Sequence, residues 1–200
     1  MITLGLSKIV VADPIKMDSV TDKAGVLAAL KAITNPQKIG KTYKDSCNIN
    51  QDKADSTDHF EEGKSAPEVH KKQRKIPTLA FQIMNPTPLK LSTYVGGDQQ
   101  TDANGWGTDG SEVVANKTII AVTEQGLCFV VPKADIDATL TGALSTTGIL
   151  LTDFTVTPLA TKAKAFYAFA KDDIPQAILN AAEGTDSTDK GEEDDGEDPT

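Results

Sequence analysis

The chain has 200 residues and a formal net charge of −9, and nine acids and one lysine in residues 183–200 account for −8 of that charge. Residues 1–182 are therefore nearly neutral, which argues against a nucleic-acid-binding protein, because such proteins carry a basic surface. A body of this size can bury about 70% of its unfolded surface without disulfides or metals. We predict one domain over residues 1–182 and a disordered acidic tail over 183–200, since the tail has no aromatic or branched aliphatic residue to bury.

The cysteines and the apolar segments bear on where the protein is made. Cys47 and Cys128 lie far apart, without metal-ligand spacing. The first residues lack the basic segment of a secretory signal, and no apolar run approaches the roughly 18 residues of a membrane span. We expect synthesis in a reducing cytoplasm, free thiols and no membrane association.

The N-terminal third begins with a predicted strand and a predicted helix. Ile2–Ala12 has strand composition, and Asp22–Ile33 places its apolar residues at helical spacing, with Thr21 or Asp22 as the N-cap. Pro36 ends the helix.

The rest of the chain is predicted to be mostly β. Strands are expected at Ile76–Met84, Lys117–Thr123, Leu127–Pro132, Lys133–Ser145, Ile149–Ala160 and Lys164–Ala170, with a helical turn at Pro88–Val95, a loop at Asp98–Gly110 and a closing helix at Ile174–Ala182. Successive short strands predict a mainly β fold, an antiparallel β-sandwich or barrel with one flanking α-helix.

Two of the predicted strands have one polar face and one apolar face. Ile136, Ala138 and Leu140 alternate with polar residues, as do Phe154 and Val156. The polar residues are Asp135, Asp137, Thr139, Thr141, Asp153, Thr155 and Thr157. Such a face needs contact with bulk water or with a hydrated channel.

A long polar arm, Asp52–Lys75, interrupts the β pattern. Unstructured loops of that length are uncommon in compact domains and are usually functional or disordered. Acids predominate in its first half and bases in its second half, so the acidic end of one copy could contact the basic end of the next. The candidate subunit-contact residues are Asp55, Asp58, His59, Phe60, Glu61, Glu62, Glu68, Lys71, Lys72 and Arg74.

The sequence gives little support for catalysis. It has no glycine-rich phosphate loop, no Gly-x-Ser-x-Gly and no Cys-x-x-Cys. His59 and His70 both lie in the polar arm, where a solvated histidine is the simpler interpretation. The glycine-rich loop around Trp106 lacks the spacing of a calcium loop. We therefore expect no catalytic, cofactor-binding or metal-binding residues and no enzyme activity.

A series of short motifs carries a resemblance to a known family. The motifs are, in order, Tyr43-Lys44-Asp45-Ser46, His59-Phe60-Glu61-Glu62-Gly63, Ala66-Pro67-Glu68-Val69, Leu79-Ala80-Phe81-Gln82-Ile83-Met84, Tyr94-Val95-Gly96-Gly97, Gly105-Trp106, Glu124-Gln125-Gly126-Leu127 and Asp153-Phe154-Thr155-Val156-Thr157-Pro158-Leu159. In this order they resemble the major tail tube proteins of long-tailed, siphovirus-type phages and prophages, especially those of gut Bacteroidetes. The resemblance covers roughly Lys38–Lys171, and residues 1–36 depart from it.

That resemblance implies a structural role in a virion. Tail tube proteins have a β-sandwich or barrel fold and form hexameric rings, which stack into the tube through which DNA is ejected. The polar strands would then line the lumen or a rim, and the arm would connect the rings and become ordered on assembly. The implied partners are further copies, the tape measure, terminator and distal tail proteins, and DNA that passes without specific binding. Synthesis would take place in the cytoplasm of the bacterial host.

Three alternatives remain open at this stage. The tube of a contractile injection system shares the fold of this family. A non-enzymatic β-sandwich could instead bind a carbohydrate or a protein through the Trp106 loop. The polar strands could also simply face solvent.

Overall fold

The computed structural model describes residues 2–17, 20, 22–100, 105–143, 145–146 and 148–182. The predicted acidic tail lies outside these residues. The strands are β1 (Leu4–Ala12), β2 (Gln37–Lys38), β3 (Asn48–Asn50), β4 (Asp55–His59), β5 (Val69–Gln73), β6 (Thr78–Ile83), β7 (Asp98–Gln100), β8 (Gly105–Gly107), β9 (Ala115–Gln125), β10 (Leu127–Gly142), β11 (Leu150–Pro158) and β12 (Tyr167–Ala170). The helices are α1 (Lys23–Lys31), α2 (Pro88–Tyr94) and α3 (Gln176–Leu179). The described chain is mainly β, as predicted.

Helix α1 forms where the sequence predicts it. The Asp22 side chain accepts a hydrogen bond from the Gly25 N–H at 2.8 Å, which satisfies one of the free donors of the first turn. Thr21, the other predicted cap, lies outside the described residues. Val26 and Leu30, four residues apart, are buried, so α1 presents one apolar face to the sheet.

One antiparallel sheet with the strand order β2-β1-β9-β10-β11-β6-β3 forms the body of the protein, and β12 pairs with β10. The chain itself connects the two sides of this sheet. Lys38 pairs with Val10 of β1, and four residues later Thr42 bridges Ile83 on the side of β6 opposite β11. The sheet therefore closes into a barrel along residues 37–42.

Strand β10 corrects the prediction of two strands meeting at Pro132. It is a single strand of 16 residues with a register shift relative to β9 between Val131 and Ala134. Pro132 has no N–H to donate to the ladder, so it occupies this bulge without ending the strand. Its carbonyl accepts hydrogen bonds from the Thr118 hydroxyl at 2.7 Å and the Ile15 N–H at 3.3 Å.

Two apolar cores lie on opposite faces of the barrel wall. Ile119 and Ala121 of β9 point into the barrel, whereas Ile120 and Val122 belong to an outer core. That outer core contains residues of α1, α3 and β12, so one side of the wall is covered on its outer face. The outer face of the second half of β10, together with β11 and β6, has no such cover among the described residues.

Two smaller predictions need adjustment. The predicted loop Asp98–Gly110 contains a two-stranded ribbon, because Gln99 of β7 pairs with Trp106 of β8. The predicted closing helix is shorter than Ile174–Ala182, because Pro175 precedes its first turn and the chain leaves helical geometry at Asn180.

Candidate functional site

The polar residues of β10 and β11 lie together on one face. Asp135 is paired with Thr157, and Asp137 with Thr155. These four side chains are exposed. Paired residues of antiparallel strands lie on the same side of the sheet, about 5 Å apart. The sequence predicted a polar face on each of these two strands separately, and the structure places the two polar faces side by side.

The third row of this face is partly sheltered. Thr139 is exposed and pairs with Asp153, which is half-buried. Thr141 differs from the other predicted lumen residues, because its partner across the ladder is Leu151, which is buried. Thr141 thus lies at the border where the polar pattern ends.

The polar surface of β10 and β11 continues onto β6 and β3, whose residues were not predicted to belong to it. Gln82 of β6 pairs with Asp153, and Ala80 pairs with Thr155 on one side and Asn48 of β3 on the other. We name this surface the polar face: Asn48, Asn50, Thr78, Ala80, Gln82, Asp135, Asp137, Thr139, Asp153, Thr155 and Thr157. It carries three carboxylates and no lysine or arginine, so it repels a polyanion and remains hydrated.

The predicted arm is a β-hairpin. Strands β4 and β5 pair in register from Asp55 opposite Gln73 to His59 opposite Val69. Every residue from Asp55 to Ile76 is exposed, so this hairpin, which we call the hairpin arm (residues 52–75), projects from the barrel. The five residues of β4 span roughly 15 Å. The pairing replaces the extended loop expected from the sequence.

The hairpin also explains the order of charges in the arm. The His70 ring contacts the Asp58 carboxylate directly across the ladder, and an ion pair joins Asp55 to Lys75 at 2.6 Å. The hydrogen bond from Lys75 to Asp55 raises the pKa of that lysine. The acidic half therefore meets the basic half of its own chain, because the hairpin folds one onto the other.

Further charged residues lie at the tip of the hairpin and on β5. Lys64 bridges Glu61 and Glu68, and these contacts raise its pKa. The tip, residues 60–68, has three glutamates against one lysine and an exposed Phe60. Within the described residues, no ion pair is formed by the remaining predicted contact residues Glu62, Lys71, Lys72 and Arg74. His59 lies at the end of β4, opposite Val69.

The Trp106 loop is closed onto itself. The Trp106 indole N–H donates a hydrogen bond to the Gly96 carbonyl at 2.7 Å, and the side chain is half-buried. Asp109 accepts hydrogen bonds from Ser111, which lower its pKa. Asp102 and Asn104 lie outside the described residues. The ring of Trp106 therefore acts as a structural anchor for β8.

The two thiols have different environments. Cys128 is fully buried in the outer core, whereas Cys47 is half-buried, and burial raises its pKa to about 11. Such a thiol is a poor nucleophile at neutral pH. In the described part of the chain, no three or more His, Cys, Asp or Glu side chains are grouped to hold a metal ion.

Sequence reasoning missed a cleft of about 500 Å³ beside α2. Its charged residues are Lys38, Lys90, Lys117 and Asp13, a formal charge of +2, and Lys117 contacts Asp13 at 2.8 Å. We call it the α2 cleft, and it is lined by Val11, Ala12, Asp13, Thr34, Asn35, Gln37, Lys38, Ile39, Thr87, Leu89, Lys90, Thr93, Tyr94 and Lys117. These residues come from segments scattered through the first 117 positions, so no local motif indicates the cleft.

None of the helices described here has the length and apolar character of a membrane span. No protein-family model matches the sequence, and no curated protein matches it. Among solved structures, one chain of the anti-feeding prophage baseplate, determined by cryo-electron microscopy with 6-fold symmetrisation, aligns with a TM-score of 0.42 and 14% identity. The alignment covers 86% of this chain and 99% of that chain. At that TM-score the two backbones superpose only loosely.

Proposed function

We propose that this protein is a non-enzymatic structural subunit of a phage tail, the major tail tube protein. Its copies form hexameric rings, and the rings stack into the conduit for DNA ejection. Synthesis takes place in the bacterial cytoplasm, and the finished protein resides in the virion. Its partners there are further copies and the tape measure, terminator and distal tail proteins. The ordered motifs from Tyr43 to Leu159 support this assignment.

The polar face is the observation that carries the proposal. It lies on the half of the barrel wall that the helices leave uncovered, and apart from Ala80 its residues are acids, hydroxyls and amides. A basic lining would bind the phosphates of DNA and release counterions, which slows passage. An acidic and hydroxylated lining keeps water between the wall and the DNA. In this proposal the polar face lines the lumen.

The hairpin arm supports assembly rather than a monomeric function. A two-stranded hairpin with no packed face is marginally stable in water. The arm has no buried residue between Asp55 and Ile76 and still extends well beyond the barrel. In a tube, a neighbouring subunit would supply the missing packing surface.

The alternatives differ in how well they use these features. A carbohydrate-binding module would need an exposed aromatic platform, and Trp106 is half-buried with its N–H already bonded to Gly96. The tube of a contractile injection system would use the polar face and the arm in the same way. A sheath gene beside this gene would favour the contractile machine.

The test is whether the pure protein assembles. Sedimentation velocity and negative-stain electron microscopy are applied over a range of protein concentrations, with and without its acidic tail. We expect rings of uniform diameter with a central channel, and we expect these rings to stack at high protein concentration. A protein that stays monomeric at every concentration in both forms contradicts the tail tube function.

A further inference from the structure

The hairpin arm and the α2 cleft lie at opposite ends of the barrel. Strands β1, β10 and β6 run parallel to one another, because each is separated from the next by one antiparallel strand. The arm joins the start of β6 at Thr78. The cleft lies where β1 ends, at Ala12 and Asp13, and where the chain leaves β6 for α2. The six residues of β6 separate these two points by roughly 17 Å.

The tip of the arm and the cleft are complementary in charge. The tip, residues 60–68, carries Glu61, Glu62 and Glu68 against Lys64, a formal charge of −2. The cleft carries three lysines against Asp13, a formal charge of +2. Opposite charge on two surfaces favours their encounter and fixes their register.

The two surfaces also match in their apolar groups. Phe60 at the tip is 56% exposed although it is a large aromatic residue. The cleft has an apolar lining that includes Ile39, Leu89 and Tyr94, and burial raises the pKa of Tyr94 to about 12, so its hydroxyl stays neutral. An aromatic side chain that fills a pocket on a partner, with charges around it, is the usual energetic centre of a protein interface.

We infer that the α2 cleft is the docking site for the tip of the hairpin arm of a second copy of this chain. Phe60 enters the apolar part of the cleft, and the tip glutamates face Lys38, Lys90 and Lys117. Since arm and cleft lie at opposite ends, each copy donates an arm at one end and accepts one at the other. A head-to-tail contact leaves a free arm at one end and a free cleft at the other, so further copies can add and build a stack. The inference rests on the proposed function, which it deepens by naming the receptor of the arm.

A charge exchange tests this pairing. The variants are Glu62→Lys at the tip, Lys38→Glu in the cleft, and the two combined in one chain. Each single variant places like charges together, so we expect the protein concentration needed for assembly to rise about tenfold or more. The combined variant restores opposite charges and should assemble within about threefold of the natural protein. The matched controls, Asp172→Lys and Lys164→Glu, change exposed charges elsewhere and should stay within about twofold.

Cross-linking gives a second readout that does not depend on the strength of the contact. In a Cys47→Ser background, one chain carries Glu62→Cys and another carries Lys38→Cys. We expect a short bifunctional maleimide to join the two chains only when they are mixed, and a chain with both cysteines to give a ladder of multimers. Closed dimers, or cross-links between two Glu62→Cys chains, would place the arm elsewhere and overturn the inference.

The outcomes separate the docking site from the tube function. If the natural protein forms tubes but the combined variant is not rescued and no ladder forms, the docking site is wrong and the tube function stands. If charge-dependent head-to-tail chains form without rings, the docking site stands and the tube function fails. A chain that never associates contradicts both.

Discussion

At the scale of residues, an aromatic cluster stabilises the barrel beneath the polar face. Phe81 and Phe154 stack with ring centroids 5.1 Å apart, and Tyr94 meets Phe154 edge-on at 5.5 Å. Phe154 is adjacent in sequence to Asp153 and Thr155 but points to the opposite side of the strand. The same strand therefore serves the inner core and the polar face.

Truncation of Phe154 should destabilise the fold. Phe154→Ala removes two aromatic contacts and leaves a cavity, so we expect the free energy of unfolding to fall by about 3–5 kcal/mol. The neighbouring control Thr155→Ala alters an exposed side chain and should change it by less than about 0.5 kcal/mol. Urea denaturation followed by circular dichroism measures both. Equal effects of the two variants would contradict the assignment of the faces.

Cys47 should react slowly with alkylating agents. Burial raises the pKa of its thiol from 9.0 to about 11, so at pH 8 its thiolate fraction and its rate with iodoacetamide should be roughly a hundredfold below those of a free cysteine. The rate should rise with pH up to about 11. Since the unfolded thiol ionises first, its contribution to stability is full below about pH 9 and is lost as the pH rises toward 11.

Mass spectrometry of the labelled protein checks this prediction. Cys47→Ser should abolish the slow labelling of the native state, and Cys128 should label only after unfolding in urea. A native Cys47 that labels as fast as a free peptide thiol would show that its environment is not desolvating.

At the scale of elements, the bulge in β10 assigns the two halves of that strand to different surfaces, and the hairpin arm forms a separate unit. The bulge at Pro132 lets one strand take part in the covered wall with its first half and in the polar face with its second half. The hairpin arm makes its ion pairs within itself, at the tip as well as across the ladder, and its tip retains a formal charge of −2. The arm is thus a separate unit attached to the barrel at β3 and β6.

Excision of the arm should separate assembly from stability. Replacement of residues 53–74 by an Asn-Gly turn removes only exposed side chains and one half-buried alanine, so the free energy of unfolding should change by less than about 1 kcal/mol. Stacking of rings should be lost, as measured by sedimentation velocity and electron microscopy. Normal tubes from this variant would show that the arm is not the contact between rings.

At the scale of the whole molecule, the barrel separates four surfaces: a covered wall, a polar face, the end that carries the arm and the end that carries the α2 cleft. This division suits a subunit that must contact neighbours at both ends and water along one side. In the tube that we propose, the polar face is the surface that DNA would meet.

Reversal of charge on the polar face should make the tube bind DNA. Asp135→Lys with Asp137→Lys alters exposed groups, so we expect tubes to form. A basic lining binds phosphates, so the altered tubes should co-sediment with short DNA at low salt and release it at high salt. The control Glu112→Lys with Asp172→Lys adds the same charge elsewhere. Equal DNA retention by both variants would show that the polar face does not line the lumen.

Much of the local structure follows from the sequence alone. Alternation of apolar and polar residues predicted the strands β6 and β11 and, as two separate strands, β10, because side-chain direction has a period of two in any strand. Asp22 predicted the start of α1 and Pro36 its end, for equally local reasons. The order of charges in the arm was also evident from the sequence, but the pairing of β4 with β5 that explains it was not.

Only the tertiary structure decided how these parts combine. The strands β10, β11, β6 and β3 form one polar face because of their pairing register, which depends on contacts between residues far apart in sequence. The folding of the arm onto itself turned its charge order into internal ion pairs. The α2 cleft depends on the closure of the barrel, since Lys38, Lys90 and Lys117 become neighbours only when β2, α2 and β9 meet at one end.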